Sequence, residues 1–166
     1  LTKIRSVYSP TTEYGRQKSQ AETELLSLGD SVKIVRFSKV ISEHTELIVD
    51  WFNKLSSNEK ISAFVDMAIS PITVDTAVDV IEHVLLGECD PVVQFSALDE
   101  ISFFELACVI ANYANSPVSN VVRQMAQDVG DKAIAHSSLE SSVFPSIKPM
   151  PSLQSVHQIM EKITKS

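Results

Sequence analysis

A tyrosine and a lysine stand four residues apart in the run Ser9-Pro10-Thr11-Thr12-Glu13-Tyr14-Gly15-Arg16-Gln17-Lys18. On a helix Tyr14 and Lys18 share one face, a turn apart, with Ala21 and Leu25 continuing the stripe. A free tyrosine ionises near pH ~10, so proton transfer at neutrality asks for a phenol lowered by roughly three units, about 4 kcal/mol. A neighbouring ammonium acts in that direction and can also hydrogen-bond a ligand hydroxyl, which suits proton transfer at a carbonyl or an alcohol. The plainer alternative is an incidental pair, a half-buried tyrosine beside a solvated lysine. Pro10 has a preset φ and no N–H to lose, and Thr11 or Thr12 can cap the free amides that follow, so a helix is expected to start here.

Pro10, Tyr14-Gly15, Lys18 and Glu22 together resemble the active-site helix of the extended short-chain dehydrogenase/reductases. The resemblance continues through Val35-Arg36-Phe37, Asp66, Ser70-Pro71-Ile72-Thr73-Val74-Asp75-Thr76-Ala77, Ile101-Ser102 and Lys148-Pro149. Asp66 with Ser70-Pro71 looks most like the dTDP-4-dehydrorhamnose reductase branch of sugar-nucleotide reductases. It implies an NAD or NADP cofactor, a nucleotide-sugar substrate, Tyr14 as proton donor and Lys18 as its tuner and ribose ligand. It further implies Ser38 and Lys39 near the cofactor and Asp66 and Ser70 near the substrate. Lys39-Val40-Ile41 is followed by Ser42 where the family commonly turns on glycine or proline, so no specific contact is carried over there.

The same resemblance exposes an absence. Gly15, Gly29, Gly87 and Gly130 are the only glycines, so the closely spaced glycine loop that brings a strand-to-helix turn against a pyrophosphate cannot form. In the family that loop and a catalytic Ser or Thr lie upstream of the tyrosine. A carboxy-terminal portion, inactive alone, is the expectation, completed by a missing amino-terminal half or a protein partner. A sugar-nucleotide epimerase or dehydratase, and a non-catalytic binding or regulatory module on the same fold, are the competing readings.

At 166 residues, 44% hydrophobic and 21% charged, the chain has material for a globular core. A net charge of -7 disfavours nucleic acid and anionic membranes as partners, and no apolar run approaches the ~20 residues that span a bilayer. A cytoplasmic location is expected, with a homodimer as an option. Cys89 and Cys108 do not make a disulfide framework, and His44, His83, His136 and His157 lack metal-ligand spacing, so no metal is expected.

Elements must then position the pair. Thr12 to Leu28 reads as the helix, ended by Gly29-Asp30, with Glu22 pairing Lys18 or facing solvent and favoured as structural. Ser31 to Phe37 is a nearly continuous apolar strand, as in a parallel sheet. Ser42 to Leu55 is a helix with Thr45 a candidate cap and Trp51 in the core, and Ile61 to Val65 is a strand ending at Asp66. Ile72 to Val74 pairs briefly before Asp75 caps a helix that Gly87 ends. Val92 to Phe95 is a strand, and Ser102 with Glu105 forms a capping box opening a helix to about Tyr113. Val121 to Val129 reads as a short helix, 130–151 as a long loop and Ser152 to Ile163 as the last helix.

The alternation predicts an α/β protein, the second half of a Rossmann-type parallel sheet fold plus a small carboxy-terminal substrate-binding lobe. Residues 1–58 would hold the back half of the Rossmann-type domain and 59–166 mainly the lobe, with about 75–97 a candidate to return to the sheet.

Overall fold

The computed structural model describes residue 3 and residues 12–87, 89–130 and 138–165. The expected loop over 1–10 apart from residue 3, the helix entry at Pro10 and Thr11, His136 and residues 131–137 of the long loop lie outside the described residues.

Helix α1, Glu13–Leu26, starts at Thr12, whose hydroxyl accepts the Gly15 amide at 3.1 Å. It is followed by Gly29 at φ 101, a left-handed turn that glycine takes without Cβ strain. Strand β1, Ile34–Phe37, runs parallel to β6, Val92–Phe95, in the register Ile34 to Val92 through Phe37 to Phe95. Between them come β2, Lys39–Ile41, parallel to β5, Pro71–Thr73, and helix α2, Glu46–Ser56. Strand β3, Ile61–Phe64, runs parallel to β8, Val121–Gln124, while two-residue β4, Ala68–Ile69, pairs antiparallel with β7, Ile101–Ser102. Helices α3, Val74–Leu86, α4, Phe103–Tyr113, and α5, Ser152–Lys165, complete the set.

Two apolar cores organise these elements. One gathers Ala77, Val80 and Val84 of α3 with Val93 and Phe95 of β6 and half-buried Val35 and Phe37 of β1. The other joins Ile48, Trp51 and Leu55 of α2 to Leu106 and Ile110 of α4, Ile61 of β3 and Ile159 of α5. Trp51 packs edge-on against Phe103 and is 8% exposed, a core residue as its stripe position predicts.

Three local expectations are corrected. Helix α2 opens at Glu46, because Ser42 to Thr45 forms a turn in which Thr45 Oγ1 accepts the Ser42 amide at 2.8 Å and gives none of its capacity to the helix. Thr73, not Asp75, caps α3, its hydroxyl accepting the Thr76 amide at 3.2 Å, while Asp75 reaches Lys162 Nζ of α5 at 2.7 Å. The segment 121–129 is a strand followed by a 3-10 turn, Ala126–Val129, since Val121 to Gln124 find a parallel partner in β3. The Ser102–Glu105 capping box on α4 is present in both directions.

Candidate functional site

Tyr14 lies in the first turn of α1 and is 69% exposed, and Lys18 holds its Nζ 5.4 Å from the ring centroid. The helix repeat thus brings phenol and ammonium together on an open face, where Ala21 and Leu25 are also exposed. The opposite face, Gly15, Ser19, Glu22 and Leu26, is half-buried, and no residue of α1 is fully so. Burial therefore does little to hold the helix in place.

An ion pair takes over part of that task. Arg36 of β1 grips the Glu22 carboxylate with Nη2 at 2.6 Å from Oε2 and Nε at 3.1 Å from both oxygens, each side chain under one-fifth exposed. Burial pushes the Glu22 carboxyl up from its ordinary value and the Arg36 guanidinium down, while each supplies the counter-charge that keeps the other ionised. Strand alternation explains the placement. Val35 and Phe37 face α3, so Arg36 emerges on the α1 side. Glu22 thus has the structural task expected of it, with Arg36 rather than Lys18 as its partner.

Ser38 follows β1, and its hydroxyl donates to the Ser70 carbonyl. Ser70 is fully buried; its Oγ donates to the Asp99 carbonyl at 2.8 Å and accepts from Ser96 Oγ at 2.8 Å. The network extends to Ser141, which accepts the Ser96 amide, and to Ser152, whose Oγ donates to the Asp99 carbonyl at 2.7 Å. Lys39 is exposed at the start of β2, opposite Pro71. The Asp66 carboxylate accepts the Ala126 amide at 3.0 and 3.1 Å, holding the 3-10 turn that follows β8. Tyr14 is thus brought to Lys18, and Ser38 to Ser70. Among the described residues no hydrogen bond or ion pair joins the first couple to Ser38, Lys39, Asp66 or Ser70.

A cleft of about 770 Å³, bordered by His83, Cys89, Asp90 and Phe144, opens elsewhere, beside β6. Sequence reasoning named Arg36 without giving it a task, and it passed over Ser96 and Ser141. A lone charge inside the apolar run Ile34 to Phe37 was the available signal for Arg36. The serines, spread over residues 38–152, carry none.

Residues 3–152 match the family model described as RmlD substrate binding domain. The chain belongs to that family. Among solved structures, dTDP-4-dehydrorhamnose reductase from Bacillus anthracis in complex with NADP is similar at a TM-score of 0.82 and 21% identity, over 97% of this chain and 59% of that one. The dTDP-4-dehydrorhamnose reductase of Yersinia enterocolitica gives 0.81 at 16% identity, over 97% and 60%. A dTDP-glucose 4,6-dehydratase from Bacillus anthracis, in complex with NAD, gives 0.75 at 14% identity, over 98% and 55%. No curated protein sequence matches the chain.

These likenesses establish the fold: Rossmann-type α/β with parallel strand pairs, of which this RmlD-family chain spans the carboxy-terminal-type portion. The resemblance to extended short-chain reductases read from Tyr14, Lys18 and the Ser70-Pro71 segment is borne out at the level of the family. The chain spans about three-fifths of the length of the reductase structures it matches. No helix among the described residues is long and apolar enough to cross a membrane.

Proposed function

We propose that this chain is the substrate-side part of an NAD(P)-dependent reductase acting on a nucleotide-linked keto-sugar. The observation that carries the reading is Lys18 Nζ beside an open Tyr14 ring at the start of α1. Membership of the RmlD substrate binding domain family supports the substrate class.

The residues fit one end of a nicotinamide cofactor and not the other. Four widely spaced glycines offer no cradle for the pyrophosphate, whereas an exposed ammonium next to an exposed phenol suits a ribose and a reacting carbonyl. When bound, the nicotinamide would supply hydride to the carbonyl carbon. Tyr14 then gives its hydroxyl proton to the carbonyl oxygen, completing the alcohol, and recovers a proton from solvent. Lys18 offsets the negative charge left on the phenol and hydrogen-bonds the ribose hydroxyls. Lys39, exposed after β1, is free to meet a cofactor or substrate phosphate. Ser38 and Ser70 commit their hydroxyls to backbone carbonyls and Asp66 its carboxylate to the Ala126 amide, so they would shape a binding wall through the backbone.

Turnover therefore needs a pyrophosphate-binding half and its Ser or Thr donor, from the same protein or a partner. The test is reduced-nicotinamide consumption by the native protein in the presence of nucleotide-linked 4-keto-hexoses. Oxidation that depends on the sugar supports the reading. Interconversion of sugars with no net consumption would instead make it an epimerase or dehydratase, a reading favoured by the likeness to dTDP-glucose 4,6-dehydratase. A protein that takes up neither NADH nor NADPH would be a binding module.

A further inference from the structure

The two apolar cores have no residue in common, so something else must hold one in a fixed relation to the other. The chain crosses between them from Val40 to Ile41, from Ile69 to Ile72 and from Ala97 to Ile101. It crosses again between Val121 and Phe144, and last between Ile147 and Val156. Each crossing carries, within it or just before it, a member of one hydrogen-bonded network. Ser38 stands at the first, Ser70 at the second, Ser96 and Asp99 at the third, Leu139 at the fourth and Ser152 at the last.

The bonds run in one direction. The Leu139 amide donates to Ser96 Oγ at 3.3 Å, Ser96 Oγ donates to Ser70 Oγ at 2.8 Å, and Ser70 Oγ donates to the Asp99 carbonyl at 2.8 Å. That carbonyl also accepts from Ser152 Oγ at 2.7 Å, while the Asp99 carboxylate accepts the Ser152 amide at 2.6 Å. Ser70, Ser96 and Ser152 are fully buried, so a broken link leaves a polar group without water to replace its partner. Ser70 is the hub, because its hydroxyl joins Ser96 to Asp99 and its carbonyl accepts from Ser38. Elsewhere the two sides meet along the short β2–β5 ladder, where α5 lies against β5, and at the exposed Lys162–Asp75 pair. Each core is close-packed within itself, so a change of angle between them is taken up in this polar seam.

The seam lies at the same end of the sheet as Tyr14. Glu22 stands four residues before the end of α1 and Arg36 two after the start of β1, each about 6 Å from the connecting turn, so α1 runs antiparallel to β1. Tyr14 lies about 12 Å further up the helix, toward the end of β1 where Ser38 follows.

We infer that Ser70 is a positioning residue: through this serine seam it sets the angle between the β1–β6–α3 side, which carries Tyr14 and Lys18 on α1, and the α2–α4–α5 side. The bearing on catalysis rests on the function proposed above, and the angle itself does not.

A distance measurement separates the two. Nitroxide labels at Asn53→Cys on α2 and Asp79→Cys on α3, both exposed, are placed in the native protein on a background freed of its own cysteines, and their separation is read by pulsed electron resonance. Ser70→Ala should at least about double the width of the distance distribution, while Ser102→Ala, which removes a helix cap inside one core, should leave it unchanged. An unchanged distribution in Ser70→Ala would overturn the inference, and so would equal broadening in Ser102→Ala, the mark of general loosening. If Ser70→Ala does not fold, Ser96→Ala takes its place, since it removes one donor and keeps the bond from Ser70 to Asp99. In the unlabelled native protein, Ser70→Ala should lower kcat for the keto-sugar about tenfold with KM for reduced nicotinamide unchanged. Wild-type kcat beside a broadened distribution would overturn the positioning of Tyr14. Broadening in a native protein with no reductase activity would uphold the seam and remove only the proposed reaction.

Discussion

Tyr14 and Lys18 sit on a helix with no fully buried residue, so their position depends on few contacts. The Glu22–Arg36 pair is the strongest of these, a forked grip between side chains mostly withdrawn from water. Glu22→Gln replaces a charge-assisted forked grip on half-buried Arg36 with a neutral contact, which should cost about 2 kcal/mol. Because the pair ties α1 to β1, the loss should appear locally, as faster hydrogen exchange of α1 amides while those of α4 keep their protection. Uniform acceleration across both helices would show instead that the pair supports the whole fold. The Tyr14–Lys18 spacing was legible in the sequence because a helix repeat makes neighbours of residues four apart. The Ser38–Ser70–Ser96 network was not, since its members come from loops far apart in the chain and serine suits a turn equally well.

Helix α4 shows how much a local signal can carry. Ser102 accepts the Glu105 amide at 3.1 Å and Glu105 Oε2 accepts the Ser102 amide at 2.7 Å, so two of the end's free amides are satisfied reciprocally. Ser102→Ala should lower stability by about 1 kcal/mol, read as a shifted denaturation midpoint at unchanged slope. No shift would mean that packing of Leu106 and Ile110 alone fixes the helix start. Helices with such caps and a 3.6-residue apolar stripe were readable in advance. Strands β2, β4 and β7 were not, being two or three residues long and defined by partners such as Pro71 and Ile101 far along the chain. The 121–129 segment misled for the same reason: Val121 is buried by β3, a long-range pairing that overrides any local helical pattern. Asp75 looked like a cap by type, but Thr73 reaches the free amides first and leaves Asp75 for Lys162.

At the scale of the molecule, the RmlD-family chain brings the exposed Tyr14–Lys18 face of α1 and two apolar cores into one α/β body. Its two cores hold the strand pairs and helices α2 to α5, while the Glu22–Arg36 pair ties α1 to β1. The four scattered glycines offer no closely spaced glycine loop within this chain. The central claim is that Tyr14 delivers the proton. Its most direct test is Tyr14→Phe in the native protein, assayed for reduction of a nucleotide-linked keto-sugar by reduced nicotinamide. Loss of the hydroxyl alone should lower kcat by about 10²–10⁴-fold with KM nearly unchanged, because phenylalanine keeps the ring beside Lys18 and removes only the proton. A variant that retains wild-type kcat would contradict the account and leave Tyr14 and Lys18 as neighbours on a helix surface.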